Sequence, residues 1–271
     1  MRIPVCKYHG AGNDFIMLDY ERFAALDDPI DFIVKVCDRH TGIGADGLIA
    51  VKKDPLEMVY YNQDGSRAPM CGNGIRCFAR YCYDHGFDLP DPFPVQTLAG
   101  EKVISILNPD PFQVRVDMDT PLWDPALIGT DQKIWAYPLE IDGKTYTLYS
   151  FFMSTVHTVI FCDDALGDIE EVGRKICHHP LFKEQTNVNF VTVVDDTHLQ
   201  VQTYERGCGV TLACGTGVCA SAYTAHALNK TKEKMFVELK KAGLEIEIAE
   251  NDHVFMTGPA RKIIEGEYEY D

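Results

Sequence analysis

At 271 residues, with 46% hydrophobic and 24% charged side chains, the chain has an ordinary globular composition and can bury a sizeable core in one large α/β unit or two domains. A formal charge of −16 argues against binding to nucleic-acid phosphates or anionic membranes, since both need a basic face, and directs attention to a small-molecule partner. The start, MRIPVCKYHG, lacks an apolar signal core and no run is long enough to cross a bilayer, so the ten scattered cysteines predict reduced thiols in the cytoplasm.

Strand signals open the chain at Ile3 to Tyr8 and Phe15 to Leu18. Asp28 as cap and Pro29 at the first helical position predict a helix to about Arg39. Strands resume at Leu48 to Lys52 and Met58 to Tyr61. After the turn-rich NQDGS comes MCGNGIRC at 70–77, whose Ile75, Phe78, Ala79 and Cys82 fall at helical spacing until Gly86 ends the run. Thr97 to Met118 returns to strands, with Phe112, Val114, Val116 and Met118 alternating against polar residues.

A similar order then recurs. An IDGK turn at 141–144 separates strand-like runs, Val156 to Phe161 is extended, and a helix is expected from about Ala165 to Cys177. Strands at Val188 to Val194 and Leu199 to Tyr204 precede ACGTGVCA at 213–220, a helix to about Leu228, and a strand-rich tail in which Leu244, Ile246 and Ile248 alternate. The run VCASAYTAHAL is small or apolar nearly all round, as befits a helix enclosed by other elements. The order predicts an internal duplication with a seam near Asp117 to Pro125. The expected fold is α/β (α+β): two pseudo-symmetric domains, 1–117 with 261–271 and 118–260, each a mostly antiparallel strand layer or barrel around a central helix.

Each repeat carries one Cys-Gly-x-Gly at a helix start. There a sulfur lies near unpaired backbone N–H groups and the positive end of the helix dipole, which lowers a thiol pKa. Gly72, Gly74, Gly215 and Gly217 allow a ligand close to those amides, which favour a carboxylate or phosphate. Two such thiols facing each other across an interdomain cleft suit inversion of a stereocentre: one thiolate removes an α-proton and the opposite thiol returns one to the other face. One proton shared by the pair is favoured by repulsion between two thiolates, and amides aimed at the carboxylate stabilise the planar carbanion. Oxidation could then join Cys71 to Cys214.

Other readings compete for the same stretch. Both cysteines could be buried small hydrophobes in tight turns. A cysteine-phosphatase loop needs Cys-x5-Arg, and Arg76 falls one residue short. A Cys-His hydrolase, with His9 or His157, leaves the second motif unexplained, and the Gly-Lys-Ser/Thr of a phosphate loop is missing. Neither Cys71, Cys77 and Cys82 nor Cys208, Cys214 and Cys219 shows the C-x2-C pairing of structural zinc sites, so no metal is expected there.

The blocks KYHGAGNDFI, GIGADGLI, NQDGSRAPMCGNGIRC, HPLF with TNVNFV, and YERGCGVTLACGTG occur in the order found in diaminopimelate epimerases, and the sequence resembles that family over nearly its whole length. The resemblance implies a pyridoxal-phosphate-independent isomerase, with no cofactor, that interconverts LL- and meso-diaminopimelate in lysine and peptidoglycan biosynthesis. It assigns the acid/base pair to Cys71 and Cys214, and the carboxylate-binding amides to Gly72, Asn73, Gly215 and Thr216. The distal substrate end falls to Asn13, Asn62, Asn187, Glu205 and Arg206, where Arg suits a carboxylate and Asn an ammonium-carboxylate group. Asn13 and Asn62 could instead be turn residues, and Glu205 and Arg206 a surface ion pair.

One departure stands out. Where the family has Gly-Asn-Pro-His, this chain reads Ser154-Thr155-Val156-His157, so Thr155 replaces an Asn that binds substrate. A racemase of another amino acid is therefore the alternative, with a non-catalytic amino-acid-binding protein as a third reading. Arg76 is expected to be structural because a first helical turn disfavours a cation. Cys208 and Cys219 are expected to be packing residues, Cys208 with the option of an off-pathway disulfide. A homodimer is compatible with all of these readings.

Overall fold

A computed structural model describes residues 1–271. The chain divides into two compact units, Met1–Val116 with Gly258–Asp271, and Asp117–Thr257. No helix is long and apolar enough to cross a membrane.

The first unit contains β1 (Arg2–Gly10), β2 (Asn13–Asp19), β3 (Gly47–Lys53), β4 (Leu56–Asn62), β5 (Phe93–Thr97), β6 (Gly100–Pro109) and β7 (Phe112–Asp117). The C-terminal strand Arg261–Glu269 pairs antiparallel with β1, opposing Cys6 to Glu265. From β1 the pairing is antiparallel to β2, parallel to β3, antiparallel to β4, parallel to β5, then antiparallel to β6 and β7. Parallel neighbours need a long crossover, and here helices supply it. Between β2 and β3 lie α1 (Tyr20–Ala24) and α2 (Pro29–Cys37), the latter capped by the Asp28 carboxylate on the Asp31 N–H at 3.0 Å. Between β4 and β5 lies α3 (Gly72–Asp84), which packs on β1, β2 and β3.

The two crossovers explain why β2 and β3 read as continuous apolar runs: both faces are covered. Ile16, Leu18, Leu48 and Ala50 meet Phe32, Ile33 and Val36 on one side. On the other, Phe15 and Ile49 lie against the first turn of α3 at Gly74. Alternation survives on β7, where Phe112, Val114 and Val116 are buried.

The second unit repeats this order. It has α4 (Pro125–Ile128), β8 (Ile134–Ile141), β9 (Lys144–Phe152), β10 (Val156–Phe161), α5 (Glu170–Cys177), β11 (Asn187–Asp195), β12 (His198–Glu205), the short β13 (Gly209–Val210), α6 (Gly215–Ala227), β14 (Lys234–Leu239), β15 (Ala242–Ile248) and β16 (Val254–Pro259). Pairing runs β8–β9–β10 antiparallel, β10–β11 parallel, β11–β12 antiparallel, β12–β14 parallel, and β14–β15–β16 antiparallel. The predicted IDGK hairpin is present, with Asp142 and Gly143 at φ of 52° and 75°, the signs that a two-residue type I′ turn requires. Every residue of α6 from Gly215 to Ala225 is buried. Each unit is thus a mostly antiparallel strand layer around one crossover helix that begins at a Cys-Gly-x-Gly.

One helix starts later than its sequence suggests. α5 begins at Glu170, not near Ala165, because the preceding segment is tied sideways to β11: Cys162 N–H donates to the Val191 carbonyl and Ala165 N–H to Thr192 Oγ1, at 2.9 and 2.8 Å.

Candidate active site

Cys71 is the N-cap of α3, in extended conformation (φ −141°, ψ 123°), and its sulfur accepts the Gly74 N–H at 3.4 Å. A sulfur there occupies the position where a Ser or Asp side chain ordinarily caps a helix, facing the unsatisfied amides of the first turn. The Cys71 thiol also lies 3.4 Å from Asn13 Oδ1, which accepts from Asn73 Nδ2 at 3.3 Å. Asn13 in turn donates to Asp46 Oδ2 at 2.6 Å. Three of the residues singled out in the first unit, Cys71, Asn73 and Asn13, therefore form one hydrogen-bonded cluster with Gly72 in its turn.

Arg76 belongs beside them. Its guanidinium is fully buried and folds back over its own helix start, donating to the Gly72 carbonyl and to Asn73 Oδ1, both at 2.9 Å, and to the Pro259 carbonyl at 3.2 Å. The residue is structural, as expected, but it shapes the loop that presents Cys71. Its spacing of three and four residues from Asn73 and Gly72 is the sequence signal for that contact. Asn62 is occupied within its own turn, accepting from Tyr60 Oη and donating to Ser66 Oγ, each at 3.0 Å.

In the second unit Cys214 is the N-cap of α6 (φ −117°, ψ 103°) and is buried, with its sulfur 3.5 Å from Thr216 Oγ1. Thr216 Oγ1 lies 2.9 Å from His157 Nε2, and His157 Nδ1 lies 3.2 Å from Asn189 Nδ2. The direction of this chain follows from its far end. Asn189 Nδ2 donates to the Thr158 carbonyl at 3.0 Å while its Oδ1 accepts the Thr203 hydroxyl at 2.9 Å, which fixes the amide orientation. Asn189 Nδ2 then donates to His157 Nδ1, the neutral imidazole donates through Nε2 to Thr216, and the Thr216 hydroxyl proton is left to point at the Cys214 sulfur. Burial, reinforced by the Arg206 charge, lowers the His157 pKa to about 3, so the ring is neutral at physiological pH.

Gly217 is required by the same packing. A Cβ there would stand 2.2 Å from Asn189 Oδ1 and 3.0 Å from Thr203 Oγ1, so β11 and β12 press directly against the helix start. Asn187 is buried, donates to the Val156 carbonyl at 3.0 Å and accepts the Arg206 N–H at 2.9 Å. Glu205 accepts the Thr211 hydroxyl at 2.6 Å, and Arg206 donates to the Glu184 carbonyl at 2.8 Å. Thr155 sits in the tight link before β10, where its carbonyl accepts the Met153 N–H at 2.8 Å and Ser154 takes a φ of 60°. Asn187 thus braces the segment carrying Thr155 against the Glu205-Arg206 turn. Cys219 is buried as expected; Cys208 is exposed, on the turn after β12, and is not a core residue.

The chain Asn189, His157 and Thr216 has little signature in the sequence. His157 was visible as a histidine, but its partners lie far away in sequence and no local spacing joins them.

Residues 5–123 and 150–263 match the family model for diaminopimelate epimerase. The chain belongs to the diaminopimelate epimerase family. Proteins named diaminopimelate epimerase from Alkaliphilus metalliredigens and Desulfitobacterium hafniense are similar to it throughout. The first is 40% identical over 277 aligned positions, 99% of this chain and 98% of that protein. The second is 41% identical over 276, 97% of each. Among solved structures, a hydroxyproline epimerase from Agrobacterium vitis matches with a TM-score of 0.69 at 12% identity, covering 98% of this chain and 90% of that one. A probable proline racemase from Agrobacterium radiobacter gives 0.70 at 13% identity, covering 99% and 93%. At those identities the likeness concerns the fold alone. Both Cys-Gly-x-Gly turns and all the residues named above lie inside the segments that match the diaminopimelate epimerase model.

Proposed function

We propose that this chain is a diaminopimelate epimerase that inverts one α-carbon of diaminopimelate with two thiols and no cofactor. The observation that carries this reading is the near full-length identity of about 40% to proteins bearing that name. It is supported by the placement of a cysteine at the start of the crossover helix in each unit.

In the proposed mechanism, one of Cys71 and Cys214 acts as thiolate base on the α-proton while the other, as thiol, reprotonates the carbon from the opposite face; the reverse reaction exchanges their roles. The substrate carboxylate takes the amides of Gly72, Asn73, Gly215 and Thr216, which stabilise the charge it gains in the carbanionic state. Asn13, Asn62, Asn187, Glu205 and Arg206 hold the distal amino-acid group, with Arg206 on its carboxylate. The Thr216 hydroxyl, aimed by neutral His157, stabilises Cys214 in its thiolate form. The reading includes a small amino-acid substrate, action in the cytoplasm in lysine and peptidoglycan biosynthesis, and a homodimer as the assembly to test by sedimentation.

A second reading rests on Thr155. A hydroxyl supplies a single donor and acceptor where an Asn amide supplies paired functions, so another amino acid could be the substrate of the same machinery. Assaying LL-diaminopimelate beside a panel of single amino acids separates the two. Turnover of diaminopimelate well above every panel member is expected; high turnover of another amino acid with none of diaminopimelate overturns the first reading and leaves the second.

A further inference from the structure

Away from both cysteine turns, three donor side chains converge in the first unit. Cys6 on β1 and Glu265 on the C-terminal strand are directly opposite partners, and His85 caps the C-terminus of α3. The Cys6 sulfur is 4.0 Å from His85 Nε2, and a ligating atom from each of the three residues lies within 4.8 Å of the others. Cys6 is buried; His85 and Glu265 are exposed. The three line a cavity of about 470 Å³ that is also bordered by Met17, Asp19, Lys53 and Phe87.

The histidine is prepared for ligation. Its Nδ1 is 2.8 Å from the Tyr81 carbonyl, which can only accept, so Nδ1 carries the proton and the Nε2 lone pair faces Cys6. A second ring nitrogen anchored on a backbone carbonyl is the usual support of a metal-bound histidine. Stacking of the ring on Tyr81, with centroids 3.8 Å apart and planes 18° from parallel, further fixes its direction. The C-terminal end of a helix also favours a cation. Glu265 Oε2 accepts from Lys262 at 2.9 Å, and a carboxylate with two oxygens can keep that contact while ligating.

We propose that Cys6, His85 and Glu265 form a binding site for a zinc ion, with a fourth position open to water from the cavity. A mixed thiolate, imidazole and carboxylate set selects zinc over magnesium or calcium, which prefer oxygen donors alone. In tetrahedral zinc geometry a sulfur and a nitrogen ligand stand about 3.6 Å apart, so the observed 4.0 Å needs only a small closure, and two of the three side chains are at the surface. On binding, the Cys6 S–H bond is replaced by an S–Zn bond and the proton leaves to solvent, with no change in oxidation state. Burial, with the Glu265 charge, raises the Cys6 pKa to about 11, so the resting group is a thiol rather than a free thiolate.

The site is independent of the proposed function, and its test is spectroscopic. The full-length chain is titrated with Co2+ as a chromophoric substitute and then with Zn2+. One equivalent of Co2+ is expected to produce a thiolate-to-metal charge-transfer band with strong tetrahedral ligand-field bands, all removed by Zn2+. Cys6→Ser abolishes the charge-transfer band, His85→Gln and Glu265→Gln weaken binding at least about tenfold, and Cys71→Ser, Cys214→Ser and Cys208→Ser leave the band unchanged. No thiolate band in the unaltered chain, or a band that survives Cys6→Ser, overturns the proposal. The two surface variants keep the test decisive if Cys6→Ser does not fold: binding as tight as in the unaltered chain in both also overturns it.

Discussion

The two cysteines sit at equivalent places in their units but in different chemical company. Cys71 is bonded to an amide and an Asn side chain, whereas Cys214 has Thr216, which is backed by a buried neutral imidazole. Removing the hydroxyl with Thr216→Val should lower kcat by about tenfold to a hundredfold, the cost of one hydrogen bond to a charged group, and should also lower stability by about 1–3 kcal/mol because the buried His157 Nε2–H loses its acceptor. His157 supplies a second, independent signature. Its pKa falls from 6.5 to about 3 in the folded state, so below about pH 6.5 the unfolded chain takes up a proton that the folded chain refuses. Stability should therefore fall with acidification across that window, by up to about 1.4 kcal/mol per pH unit. Chemical denaturation of the unaltered chain against His157→Gln measures it: the slope should shrink in the variant, and an unchanged slope contradicts the assignment. Gly217→Ala should be strongly destabilising, because the added carbon meets Asn189 Oδ1 at 2.2 Å and displaces the side-chain amide that orients His157.

At the scale of elements, the helix start is held from beneath. Arg76→Met removes the guanidinium from the Gly72 carbonyl and Asn73 Oδ1 and is expected to cost about 3 kcal/mol, which Arg76→Lys recovers only in part because an ammonium lacks the planar fork. The strand that begins at Asn13 is braced by Asp14, which meets Lys7 at 2.9 Å and Arg39 at 2.8 Å. Burial pushes the Asp14 carboxyl up, but these cations outweigh it and hold the pKa at about 2. The stabilisation is present above about pH 3.8 and is lost as pH falls toward 2, so Asp14→Asn should remove a loss of stability distinct from the His157 window.

Much of this was legible in the chain. The Asp28-Pro29 helix start, the IDGK hairpin, the alternation at Phe112 to Val116 and both Cys-Gly-x-Gly helix starts follow from local chemistry, because the residues that dictate them are neighbours. The late start of α5 was not, since it depends on Thr192 taking the Ala165 N–H across the sheet. The Asn189, His157 and Thr216 chain and the Cys6, His85 and Glu265 cluster were equally hidden. Their members come from separate elements, and only strand register together with the packing of α3 and α6 on the strands brings them together.

For the whole molecule, the repeated pairing order has a chemical consequence. Each unit builds the same crossover helix behind a parallel strand pair, and each helix begins with one thiol and one set of amides. In the proposed mechanism duplication supplies the base and the acid from copies of one motif. Neither thiol alone can both remove and return a proton on opposite faces. Solvent deuterium incorporation at the α-carbon of LL-diaminopimelate, followed by mass spectrometry in the unaltered chain, Cys71→Ala and Cys214→Ala, tests this most directly. Deuterated meso product is expected from the unaltered chain, with loss of epimerisation by at least about a thousandfold in each variant. Deuterium exchange with inversion that persists in either single variant would contradict it.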